Sequence, residues 1–75
     1  MTLEQMRVGD EGRVAGFSEG GRSYRKKLLA MGLTPGTAFS ISRVAPMGDP
    51  VEITVRGFRL SLRRHEAAAV RVEKA

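Results

Sequence analysis

The stretch Pro50-Val51-Glu52-Ile53-Thr54-Val55-Arg56-Gly57-Phe58-Arg59-Leu60-Ser61-Leu62-Arg63 decides the fold. Apolar residues alternate at 51, 53 and 55, then again at 58, 60 and 62, with Arg56-Gly57 between the two runs. Period-two alternation is the signature of a half-buried strand, and two such runs joined by two residues form a β-hairpin. A two-residue loop sets Val55 opposite Phe58, Ile53 opposite Leu60 and Val51 opposite Leu62. All six side chains then share one face, which a half-buried antiparallel pair requires. Glu52, Thr54, Arg59, Ser61 and Arg63 take the other face.

Outward from the hairpin, Thr37–Val44 alternates at Phe39 and Ile41 and then slips by one residue to Val44. A bulge near Ser42-Arg43 accounts for the slip. Pro46-Met47-Gly48-Asp49-Pro50 reads as a turn-rich link to the hairpin. Pro35-Gly36 suits the centre of a type II turn. Between Arg22 and Gly32 the period becomes helical: Tyr24, Leu28 and Met31 fall on one stripe, with Arg25, Lys26 and Lys27 turned outward. Ser23 is the expected N-cap. Gly32 is the expected residue past the helix end, with Leu33 folding back onto the last turn. Residues 18–21 read as a flexible loop, Gly12–Phe17 as a first strand, His65–Ala68 as one helical turn and Val70–Val72 as a closing strand. The fold expected is mainly β: a small closed five-stranded barrel, one inserted α-helix and a short helical turn near the C-terminus.

Length and composition agree with one small domain spanning residues 1–75. At this size only about 60% of the unfolded chain's surface is buried on folding, which leaves no room for a lidded substrate cavity. The chain has no cysteine, so disulfides and thiolate metal sites are excluded. It has no stretch near the roughly 18 apolar residues of a membrane span, and its first ten residues lack the apolar core of a signal peptide. A cytosolic setting is expected. Thirteen Lys and Arg against eight Asp and Glu give a net charge of +5, concentrated after residue 21, which favours an acidic partner.

Catalysis is poorly supplied: one histidine, no nucleophile elbow and no phosphate loop, so no enzyme is expected. A metal site could draw on His65 and Glu66. Adjacent residues on a helical turn diverge by about 100°, so a weak divalent-metal site, for iron or zinc, would be shared across a homodimer. A dimer is permitted by the sequence and not demanded. Arg22, Arg25, Lys26 and Lys27 cluster on the helix, and Arg56, Arg59, Arg63 and Arg64 on the hairpin. Single-strand nucleic-acid binders add exposed aromatic platforms. Phe39, Phe58 and Phe17 are instead assigned to the core and Tyr24 to the buried helix stripe, which disfavours nucleic acid.

Leu28-Leu29-Ala30-Met31-Gly32-Leu33-Thr34-Pro35-Gly36 resembles the signature of the ferrous iron transport protein A (FeoA) family. Val44-Ala45-Pro46-Met47-Gly48-Asp49-Pro50 resembles that family's Ala-Pro-Leu-Gly-Asp-Pro segment, and residues 51–64 resemble the hairpin that follows it. The resemblance implies an SH3-like barrel, related to the C-terminal domain of DtxR-type metal-dependent repressors. It also implies a cytosolic, non-enzymatic accessory of bacterial ferrous iron uptake that docks on and regulates the membrane transporter FeoB, through its GTP-binding domain or its membrane part. Transition-metal binding comes with the resemblance alone. Under it, Tyr24, Arg25, Lys26, Leu28, Met31, Leu33, Pro35 and Met47 are the expected docking residues. Leu33→Glu is then expected to abolish partner binding at unchanged melting temperature. A basic nucleic-acid-binding barrel and a metal-sensing module are the alternative readings.

Overall fold

A computed structural model describes residues 1–18 and 22–75. The elements, in chain order, are β1 (Glu11–Phe17), α1 (Arg22–Ala30), β2 (Ala38–Val44), β3 (Val51–Val55), β4 (Phe58–Leu62), α2 (Arg64–Ala68) and β5 (Val70–Lys74). Short 3-10 turns occupy Leu3–Gln5 and Pro46–Gly48. The loop expected at residues 18–21 lies mostly outside the described residues.

The hairpin register is the one its alternation demands: Val55 faces Phe58, Ile53 faces Leu60 and Val51 faces Leu62. Arg56 and Gly57 both take positive φ, at 50° and 81°. That is the geometry of a type I′ turn, whose twist matches the strands it joins. The register between β2 and β3 shifts between Ile41 and Arg43, which places the bulge where the pattern slips. All ladders are antiparallel, in the order β4-β3-β2-β1-β5. β1 therefore sits between β2 and β5. The barrel is open along one seam: β4 and β5 end the hydrogen-bonded order instead of pairing with each other, so the expectation of full closure is corrected.

The sheet curls around one core that draws on every strand, including Val14, Phe39, Ile41, Ile53, Leu62 and Val70. Leu3 and Met6 join it from the N-terminal segment, which carries no period to reveal them. That segment is fastened by a bridge between Thr2 and Arg71 and by Val72 N–H donating to Met1 O at 3.0 Å. One core assignment fails. Phe58 is 72% exposed and Leu60 only half-buried, although both share a face with buried Leu62. Val55, directly across from Phe58, is buried, so the core ends sideways at the edge strand β4 and not along the hairpin. Sharing a face does not bury a residue beyond that edge. Phe39 is buried as expected, while Phe17 and Tyr24 are half-buried against the core.

Candidate functional site

The helix and its exit carry most of the residues singled out above. α1 starts at Arg22, so Ser23 lies inside the helix and is not its N-cap. At the other end, Leu33 N–H donates to Leu28 O at 3.1 Å and Gly32 N–H to Leu29 O at 3.0 Å. These are the paired bonds of a Schellman ending, with Gly32 in the required left-handed conformation at φ 97°. Thr37 N–H then donates to Thr34 O at 3.0 Å across Pro35-Gly36, the turn those residues predict. Gly36 N–H donates to Val14 O at 2.7 Å and Arg13 Nη1 to Gly36 O at 3.1 Å, so the exit loop is pinned to β1.

This arrangement divides the eight expected docking residues. Leu28 and Leu33 have no exposed surface at all. They are the two apolar ends of the Schellman ending and belong to the core, so both are withdrawn as surface contacts. Arg25, Lys26 and Pro35 are exposed, and Tyr24 and Met31 are half-buried. Arg25 and Pro35 line a groove with Phe17, Leu29 and Arg71 between α1 and β1. Met31 lines a second cleft on the far side of the helix exit, with Val55, Phe58 and Leu60 as its apolar walls and Arg56 and Arg59 at its rim. Met47 lines neither. It is 91% exposed and holds a left-handed φ of 75°. The alternation places Phe58 inward, and nothing in the hairpin's own pattern marks β4 as the edge strand, since Val55 beside the same turn is buried.

The two helices are joined by side chains. The Tyr24 and His65 rings lie 5.1 Å apart, tilted by 41°. Lys27 Nζ donates to Glu66 Oε2 at 2.6 Å, and Arg63 N–H donates to Glu66 Oε1 at 2.9 Å. The lysine hydrogen bond, helped by the Arg63 N–H and by the charges of Lys27 and His65, holds the Glu66 carboxyl below its ordinary range against the opposing effect of burial. Both Glu66 oxygens are therefore occupied, one as a helix cap and one as an inter-helix link. Within one chain Glu66 is committed to Lys27 and the Arg63 N–H and not to His65. His65 is exposed. Among the described residues, no three His, Asp or Glu side chains converge as ligands would. Within one chain the described donors assemble no resident metal site.

No helix of the described residues is long and apolar enough to cross a membrane. The family model of the FeoA domain matches residues 1–74. The chain is 34% identical over 73 residues to an Fe(2+) transport protein A/Fe(2+) transporter FeoB fusion protein of Porphyromonas gingivalis. That match covers 97% of this chain but only 8% of the length of the fusion. The solution structure of a FeoA-like protein from Clostridium acetobutylicum is 35% identical, with a TM-score of 0.89 over 99% of this chain and 85% of that one. Two more distant likenesses bear on the fold alone. One is a zinc-complexed FeoA of Stenotrophomonas maltophilia described as an SH3 domain protein, at 24% identity and TM-score 0.82 over 97% of this chain and 89% of that one. The other is a manganese-dependent transcriptional repressor, at 18% identity and TM-score 0.89 over 99% of this chain and 36% of that one. With an SH3-like fold and a family match over nearly its whole length, the chain belongs to the FeoA domain family.

Proposed function

We propose that this domain is an accessory of bacterial ferrous iron uptake that works by docking on a FeoB-type transporter from the cytosolic side. The observation that carries the reading is the fused relative, in which a domain 34% identical to this one is part of the same chain as the transporter. A covalent link holds two modules at an effective concentration of about millimolar, so fusion favours pairs that work in contact. Its surface here is the exposed part of α1 and its exit: Tyr24, Arg25 and Lys26, with Pro35 below them, Met31 at the margin and Met47 as a separate apolar contact. Basic side chains over an apolar groove suit a partner face that is acidic at its rim.

The role is binding, not catalysis, and needs no resident cofactor; iron is the transporter's cargo. A rigid module acts on a transporter by binding one of its conformations more tightly than another. The pinned helix exit supplies that rigidity. The test is an amide-resolved NMR titration of labelled protein against the soluble GTP-binding domain of the cognate transporter. Saturable shifts confined to residues 23–36 and Met47 are expected. An unperturbed spectrum at high concentrations of that domain would remove it as the partner.

A further inference from the structure

We propose that the outer edge of β4, with the cleft beside it, accepts one added β-strand from a partner protein: an extended segment that alternates acidic and apolar residues. The inference does not rest on the transporter reading, since it uses the hairpin edge and shares only Met31 with the docking surface on α1 and its exit.

The edge is open because the sheet order ends at β4. In a hairpin with a two-residue turn, the pair flanking the turn exchanges both hydrogen bonds and the pairing then alternates. Phe58, Leu60 and Leu62 therefore bond to β3, while the main-chain groups of Arg59 and Ser61 point away from it. Among the described residues, neither has a main-chain partner beyond the ladder, and both residues are exposed. Such an edge is a template for another strand.

The side chains define what that strand carries. On the inner face, exposed Phe58 with Leu60 and Met31 lines an apolar cleft. On the opposite face Arg59 is 77% exposed and only loosely paired, 3.9 Å from Glu52. Arg63 beyond it is 65% exposed and equally loose against Asp49, at 3.9 Å. Exposed Arg56 stands at the hairpin tip. An added strand presents successive side chains to alternate faces. Apolar residues then fill the cleft while the intervening carboxylates meet the arginines. A second copy of this chain fits poorly, since its own β4, Phe58–Leu62, carries Arg59 and no carboxylate to meet the arginines of this edge. Nucleic acid would use the charge and one aromatic ring but leave the main-chain edge unpaired.

The test uses an acetylated, amidated heptapeptide, Glu-Val-Glu-Leu-Glu-Val-Glu, titrated into labelled protein. Shifts localised to Met31 and residues 56–62 are expected, with amide exchange at Arg59 and Ser61 slowed at least about tenfold on saturation. Ser61→Pro removes an outward donor without touching the ladder to β3 and should weaken binding by about tenfold or more. Phe58→Ala should weaken it about fivefold at unchanged melting temperature, and decides the matter with the exchange data if the proline variant does not fold. The proposal is overturned by equal binding of the peptide with lysine in place of glutamate, or by unaltered affinity in folded Ser61→Pro. It is likewise overturned if an oligothymidine produces the same shifts and protection, or if concentration-dependent dimerisation occupies β4.

Discussion

Lys27 Nζ lies 2.6 Å from Glu66 Oε2, and through that contact the inserted helix is tied to the short helix 39 residues further along the chain. The Glu66 side chain is almost wholly buried, at 4% exposure, whereas Lys27 remains 62% exposed. The acid is thus the structural partner and the lysine the adjustable one.

Because the Glu66 carboxyl is held below its ordinary value of 4.5, it stabilises the fold at neutral pH, and that contribution is lost as pH falls through the lowered pKa. Lys27→Met should cost about 1 kcal/mol near pH 7, discounted for the solvent screening of an exposed ammonium. The deficit should shrink in acid and disappear once Glu66 is protonated. Glu66→Ala, which also removes the cap on Arg63 N–H, should cost about 2 kcal/mol. Thermal melts of the three proteins between about pH 7 and about pH 3 decide the point; a Lys27→Met deficit independent of pH would show that packing, not charge, is lost.

Leu33→Glu should collapse the fold, since it places a carboxylate where a fully buried leucine packs. Leu33→Ala should cost about 2–5 kcal/mol. The measurement is a urea melt with far-UV circular dichroism. A Leu33→Glu protein that melts like wild type would return this residue to the surface.

The helix stop, the type II turn and the hairpin were legible because each is written in local chemistry: Gly32, Pro35-Gly36 and a strict period of two. Three features were not. Leu3 and Met6 enter the core through a 3-10 turn that has no amphipathic repeat. Glu66 finds Lys27 only through the tertiary fold. Phe58 obeys the strand pattern yet lies past the end of the core, a limit set by the width of the sheet and not by its alternation.

Gly12→Ala should be costly for a reason invisible in the pattern. A Cβ at residue 12 would meet the main-chain oxygen of Glu73 at 2.6 Å, so β1 and β5 would have to separate. A loss of about 2 kcal/mol is expected, or about 8–16 °C in melting temperature for a domain of this size. Calorimetry reads it directly. A shift under about 2 °C would mean that the strands adjust freely.

Met47→Asn should stabilise the protein by about 0.5 kcal/mol, because asparagine tolerates the left-handed backbone that methionine holds there. The same change removes an exposed apolar side chain, and affinity for the transporter's GTP-binding domain should fall about threefold or more. Unchanged affinity, measured by titration calorimetry, would exclude Met47 from the docking contact.

The position of β1 between β2 and β5 also sets an order of events during synthesis. Gly12 pairs with Lys74 and Phe17 with Val70, so the first strand waits for the last. The β3–β4 hairpin needs no distant partner and forms on a microsecond scale. Until Val70–Lys74 has left the ribosome, β1 is an edge with Val14 and its neighbours unsheltered. The growing chain therefore holds a native hairpin and an uncompleted core, and a C-terminal truncation at Ala69 would leave that state permanent.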